Sequence, residues 1–151
     1  MGFNSIICVD QNNCNVADFC VTKEIAEKFK ECQNYGIIGF LISEKNFISF
    51  KGNLYNNVIK NMTKNKYNMY SDINKEQIKE IHDSIHNFIN NYDCEELHKI
   101  QNIYNSNNIE SFDVWCLDLI DDFIPSPKEI VGLTKIFKLC YENNLKIHAS
   151  S

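Results

Sequence analysis

Short apolar runs predict three strands in the first half of the chain, at residues 5–9, 36–43 and 46–51. The run at 36–43 is almost entirely apolar, which favours a central strand that is buried on both faces. A polar turn at 44–46 joins it to the strand at 46–51, so the pair forms a hairpin. Residues 66–71 predict a fourth, weaker strand.

Helical spacing of apolar residues fills the intervals between these runs. Ile25, Phe29 and Cys32 lie at i, i+4 and i+7 behind Thr22, a residue type that caps helix N-termini, and Gly36 ends this helix. A second helix is predicted over about 54–62. The order of the first six elements is therefore β-α-β-β-α-β, which matches a ferredoxin-like split βαβ plan.

The second half of the chain predicts a helical insertion at about 74–106. Ile78, Ile81 and Ile85 define one apolar face, and the sequence from Asp93 to Glu96 has the spacing of a capping box that begins another helix. A strand at 112–121, a C-terminal helix that begins at Pro127 and a closing strand at 145–149 follow. Without a long Pro-, Gly- or Ser-rich linker, the whole chain 1–151 is interpreted as a single α+β domain.

Composition excludes two classes of partner. The formal net charge is −5, the pI is about 5.3, and all 15 basic residues are Lys. We therefore expect no nucleic-acid partner, because phosphate binding requires a basic face and favours Arg. The longest apolar run, 37–42 apart from Gly39, is far shorter than the roughly 20 residues of a membrane span, so we expect no membrane segment. The absence of Arg and the abundance of Asn and Ile are typical of an AT-rich genome, for example that of a large DNA virus.

Cysteine usage indicates the compartment. The chain has seven Cys, an odd number without paired spacing, and no secretory signal is visible before them. Reduced thiols are therefore expected, in a cytoplasmic protein or in the host cytoplasm if the source is viral.

Three stretches of the chain resemble the BLUF family, the blue-light sensors that use flavin. Residues 36–42 stand where the family has a Gly-Ile-Thr-Gly-type strand, 46–52 resemble its hairpin strand, and 112–115 keep the spacing of its Phe-x-x-Trp strand. The resemblance implies a related fold with Trp115 as the one matching flavin-site residue. Where the family needs Tyr, Gln and Asn for its light reaction, this chain has Cys8, Ile48 and Cys32, so the photocycle is not expected.

Histidine spacing raises a metal-site hypothesis. His82 and His86 lie at i and i+4 on one predicted helix, and Cys94 and His98 repeat that spacing on the next. Two antiparallel helices would bring the four side chains into a tetrahedron that suits zinc. The alternative is ordinary histidines: His82 and His86 follow apolar Ile81 and Ile85, which places them at the solvent edge of the stripe.

A hydrolase hypothesis uses a different histidine pair. His82-Asp83-Ser84 and His148-Ala149-Ser150 are His-x-Ser triplets, which resemble the paired motifs of the two-histidine phosphoesterases. A metal- or His-dependent hydrolase would require His82, His86 and His148 to converge in one cleft.

The sequence as a whole favours a small, non-enzymatic binding or regulatory protein, without a cofactor, that engages a protein partner or a small ligand in a regulatory or virus–host setting. A degenerate flavin-binding sensor and the hydrolase are the alternatives. A homodimer is expected if the sheet leaves an edge open.

Overall fold

The computed structural model of the chain describes residues 4–9, 20–91 and 127–150. In these residues four strands form one sheet: β1 (Asn4–Val9), β2 (Leu41–Ile42), β3 (Ile48–Phe50) and β4 (Leu145–Ser150). The order across the sheet is β2-β3-β1-β4, and each neighbouring pair is antiparallel. The predicted α+β class is therefore confirmed, and β1 lies in the middle because the closing strand pairs with it along six residues.

Strand register divides the side chains between two faces. Ile7 lies opposite Ile48 on one side and Ile147 on the other, so these three share a face and are buried in the main core. Because side chains alternate along a strand, Ile6 and Cys8 point to the opposite face, where they pack with Phe47 in a smaller cluster.

Four α-helices accompany the sheet in the described residues: α1 (Lys23–Lys28), α2 (Asn56–Met62), α3 (Lys75–Asn91) and α4 (Pro127–Glu142). Their starts follow local chemistry. The hydroxyl of Thr22 accepts a hydrogen bond from the backbone N–H of Ile25 at the start of α1, as the sequence predicts. At α3, Asn74 and Gln77 exchange hydrogen bonds between side chain and backbone, a reciprocal cap.

The helices bury the apolar faces that their spacing predicts. Ile78, Ile81 and Ile85 of α3 are all buried, and α3 packs against α4. A 3₁₀ helix (Lys30–Tyr35) extends α1 and ends at Gly36, whose φ of 72° suits glycine. Tyr55, the last residue of a second 3₁₀ helix (Gly52–Tyr55), ties this layer together: its hydroxyl accepts from the N–H of Ile38 and donates to Glu129 at 2.6 Å.

Two strand predictions are wrong. Residues 36–43 are not a central strand, because only Leu41 and Ile42 pair with β3, at the edge of the sheet, and Gly39 turns the chain with a φ of 73°. Residues 66–71 are not a strand either. The side chain of Asn56 holds this segment in place, because it accepts a hydrogen bond from the N–H of Met69. Beyond the segment, Ile73 forms an isolated antiparallel β-bridge with Ile147.

The sixth element of the predicted order is therefore replaced. The fourth strand of the sheet, β4, pairs with β1 and comes from the C-terminal segment after α4. In the chain, α3 lies between the β2–β3 hairpin and this strand. The helix predicted to follow Asp93 and the strand predicted at 112–121 lie outside the described residues.

Candidate functional site

A cleft of about 550 Å³ lies between the end of α2 and the middle of α3. Seven of the described residues line it: Asn61, Met62, Thr63, Lys64, Ser84, Asn87 and Phe88. Its volume falls in the range of roughly 300–1,000 Å³ that small-molecule pockets occupy. The lining mixes amides, hydroxyls, one ammonium group and two apolar side chains, so the cleft offers a ligand both polar and apolar contacts.

The α2 wall is held by a tight turn. Thr63 is buried, and its hydroxyl donates to the carbonyl of Ile59 at 2.7 Å while it accepts from the N–H of Tyr67. Lys64 and Asn65 follow with φ values of 54° and 65°, in the left-handed region. Asn tolerates this conformation, but for a Lys it is unfavourable by about 1–2 kcal/mol.

The α3 wall follows from helical spacing. Ser84 and Phe88 are four residues apart and so share one side of the helix, with Asn87 beside them. The Ser84 hydroxyl donates to the carbonyl of Glu80 at 2.9 Å. The hydroxyls of Ser84 and Thr63 are thus both engaged by backbone groups of their own segments.

Lys64 is the one charged residue among the described residues that line the cleft. The acidic residues of the neighbouring α3 surface are engaged elsewhere: Glu80 pairs with Lys66 and accepts from the Tyr67 hydroxyl, and Asp83 pairs with His82 at 3.1 Å. The hydrogen bonds from Lys66 and Tyr67 hold the pKa of Glu80 below its ordinary value. Among the described residues, the ammonium group of Lys64 has no carboxylate partner.

The structure brings His82 and His86 together on α3. Their rings are stacked with centroids 6.2 Å apart, and the His82 ring also packs edge-on against Tyr141 of α4. The expectation that both lie at the solvent edge is wrong for His82, which is only 7% exposed because α4 covers it. Its Nδ1 donates to Asp83, whereas its buried Nε2 has no hydrogen-bond partner among the described residues.

His148 lies elsewhere. It is on β4 opposite Ile6, on the sheet face away from the main core, and its Nδ1 donates to Asp72 at 2.9 Å. The structure therefore does not bring His148 together with the pair on α3, as the hydrolase hypothesis requires. Cys94 and His98, the other two predicted zinc ligands, lie outside the described residues, and within those residues no group of three or more metal-ligating side chains occurs.

The cysteines that the structure describes form no disulfide with one another: Cys8, Cys20, Cys32 and Cys140. Burial, followed by the nearby charge of Glu31, raises the pKa of Cys32 to about 12, and burial raises the pKa of Cys140 as well. These two thiols stay protonated at neutral pH and pack as small apolar groups. Of the positions compared with the BLUF family, Cys32 and Ile48 lie in the main core and Cys8 on the opposite sheet face, while Trp115 is outside the described residues.

The cleft was not predicted from the sequence. Its two walls are about 20 residues apart in the chain, and only the basic cluster of Lys60, Lys64 and Lys66 marks one of them. Comparison with protein families, with curated proteins and with solved structures gives no match to this chain. No helix in the described part of the chain has the length and apolar content to cross a membrane.

Proposed function

We propose that the protein is a non-enzymatic binding protein that holds a small organic ligand in the cleft between α2 and α3. The observation that carries this proposal is the cleft itself, a 550 Å³ space with polar and apolar walls. The two hydroxyls in the lining donate to helix carbonyls, which suits a role in shaping the walls rather than in attacking a substrate.

A ligand screen by NMR tests this proposal. Small organic compounds, with flavin mononucleotide among them because of the BLUF resemblance, are titrated into the ¹⁵N-labelled protein. We expect at least one compound to shift the amide signals of 61–64 and 84–88 together. Ser84→Trp, which fills the cleft, should abolish the shifts, whereas Asn34→Trp on the exposed surface of the 3₁₀ helix should retain them. Binding that persists in the Ser84→Trp variant would place the ligand elsewhere and contradict the proposal.

A protein partner at the edge of the sheet is a second candidate. β2 is an edge strand, and Leu41 and Ile38 beside it are 57% and 38% exposed. Edge strands with exposed apolar residues pair readily with a strand of another chain, which includes a second copy of this one. Light scattering across a concentration series tests the homodimer: Leu41→Lys should keep the protein monomeric, and an unchanged mass for wild type and variant would exclude this route.

A zinc site on α3 is retained as an alternative because of one observation, the buried and unpartnered Nε2 of His82 next to the His86 ring. Zinc would satisfy that nitrogen. Native mass spectrometry after incubation with Zn²⁺ tests it: one bound ion is expected for the wild type and none for His82→Gln. Equal binding by both proteins would exclude His82 as a ligand.

For the fold and the compartment, we propose the ferredoxin-like split βαβ plan in a reducing cytoplasm. The strand order β2-β3-β1-β4 with antiparallel neighbours supports the former, since the split plan inserts the third strand between the first two. The free, buried Cys32 and Cys140 support the latter.

A further inference from the structure

We infer that the cleft selects a small organic anion, with a flat apolar body and one carboxylate or phosphate group that meets Lys64. This inference rests on the proposed function, since it names the ligand class for the same cleft. Three features of the described residues carry it: an unbalanced charge, a strained backbone that places this charge, and an apolar surface beside it.

The charge balance at the cleft favours an anion. In the part of the lining that the structure describes, Lys64 is the one ionic residue, and no carboxylate of the described residues pairs with it. The α3 carboxylates Glu80 and Asp83 form no ion pair with the ammonium group, because Glu80 pairs with Lys66 and Asp83 accepts a hydrogen bond from His82. A carboxylate or phosphate of the ligand would supply the missing partner, and a charge-assisted hydrogen bond of this kind is stronger than a neutral one.

The backbone at Lys64 supports a functional role for this side chain. Its φ of 54° is a conformation that Gly or Asn adopts more easily, and the next residue, Asn65, shares it with a φ of 65°. Lys is a poor choice for this backbone conformation, and it faces the cleft. Residues in unfavourable backbone conformations are found preferentially at functional sites.

The remaining lining defines the body of the ligand. Phe88 and the buried Met62 form the apolar part of the surface, and the amides of Asn61 and Asn87 add neutral donors and acceptors. A planar apolar group stacks on an aromatic ring and also contacts a thioether favourably. The ligand therefore combines an apolar ring with a single charged end rather than being a bare inorganic ion.

Titration with simple probes tests the inference. Benzoate, phenyl phosphate and the neutral benzyl alcohol are added separately to the ¹⁵N-labelled protein, and dissociation constants are taken from the amide signals of 61–64 and 84–88. Benzoate and phenyl phosphate distinguish the two anionic groups. The variants are Lys64→Asn, which suits the left-handed backbone and removes the charge, and Lys45→Asn, which changes net charge equally on the exposed β2–β3 turn.

We expect at least one anion to bind about tenfold more tightly than benzyl alcohol, and Lys64→Asn to weaken that anion about tenfold. Lys45→Asn should leave the constant unchanged, and added salt should weaken the anion but not the alcohol. Lys64→Asn should also melt at the same temperature as the wild type or higher, because Asn relieves the strained φ. An unchanged or higher melting temperature would show that Lys64→Asn loses affinity for the anion without losing its fold.

Two results would overturn the inference, and they differ in what they say of the cleft. If benzyl alcohol binds there as tightly as the anions, or if Lys64→Asn leaves the dissociation constant of the anion unchanged, the anion preference is wrong while the proposed binding cleft stands. If no probe shifts the cleft amides at millimolar concentration and the wider screen finds no ligand there, both proposals fail.

Discussion

At the scale of single residues, Tyr55 shows how a polar group is accommodated in the core. Its side chain is fully buried, yet its hydroxyl accepts from Ile38 N–H at 2.8 Å and donates to Glu129. Burial and then the hydrogen bond to Glu129 raise the pKa of Tyr55 well above its ordinary value. The phenol therefore stays protonated at neutral pH and remains a donor. Its two hydrogen bonds join Ile38, in the segment before β2, to Glu129 in the first turn of α4.

Tyr55→Phe should lower the free energy of unfolding by roughly 1–3 kcal/mol, because the Ile38 N–H and the Glu129 carboxylate both lose a partner. Urea denaturation measures the loss. Tyr35→Phe is the matched control: Tyr35 is buried too, but its hydroxyl makes no hydrogen bond within the described residues. A loss of equal size in both variants would show that the hydrogen bonds of Tyr55 are not the cause.

His82 is the opposite case. Its buried Nε2 finds no hydrogen-bond partner in the part of the chain that the structure describes, so it carries an uncompensated desolvation penalty of about 1–3 kcal/mol. His82→Phe keeps an aromatic ring against Tyr141 and removes that nitrogen, so we expect unchanged or greater stability in urea. His82→Ala should instead destabilise the protein by leaving a cavity between α3 and α4. A His82→Phe protein that is as unstable as His82→Ala would mean that the imidazole itself makes a needed contact.

At the scale of elements, the start of α3 depends on the reciprocal cap between Asn74 and Gln77. Asn74→Ala should cost about 1 kcal/mol, because the N–H of Gln77 loses its acceptor. Urea denaturation gives the cost, and faster amide hydrogen exchange at Gln77 locates it. Asn57→Ala, an exposed position inside α2, should be neutral or slightly stabilising, since Ala is the better helix former. An undisturbed Gln77 amide in Asn74→Ala would contradict the role of the cap.

The same scale shows why some elements could be predicted and others could not. α3 and α4 carry long apolar stripes and clear start signals, so their positions follow from spacing alone. The run at 36–43 has the composition of a buried strand, but composition does not reveal that Gly36 and Gly39 both adopt positive φ and turn the chain toward the sheet edge. The cleft escaped prediction for a related reason: its walls meet only through the packing of α2 on α3.

At the scale of the whole molecule, one carboxylate joins the segment before α3 to the last strand. Asp72 accepts from the N–H of Ala149 and from Nδ1 of His148, both at 2.9 Å. Partial burial pushes the pKa of Asp72 upward, but the bonds from Ala149 and His148 and the charge of Lys146 outweigh it, so the pKa lies below its ordinary 3.8.

A carboxyl with a lowered pKa in the folded state binds its proton more readily in the unfolded chain. Its contribution is therefore present above about pH 4 and is lost as the pH falls through the folded pKa. Because Asp72 is 54% exposed, the contribution should stay below about 1 kcal/mol. Urea denaturation between pH 7 and pH 2.5 should show a shallower acid loss for Asp72→Asn than for the wild type. An acid loss that is equally steep in Asp72→Asn and in the wild type would contradict this role of Asp72.

The bridge between Ile73 and Ile147 has a consequence for how copies of the protein would associate. Both backbone groups of Ile147 that face outward are taken by Ile73, at 2.9 Å each, so the β4 margin of the described sheet is closed at its centre. Within the described residues, no strand pairs with the outer side of β2, so this margin has open backbone groups. If two copies associate, pairing of β2 with β2 joins the same edge of both copies. Such an interface is isologous, so it closes at a dimer and does not extend into a filament.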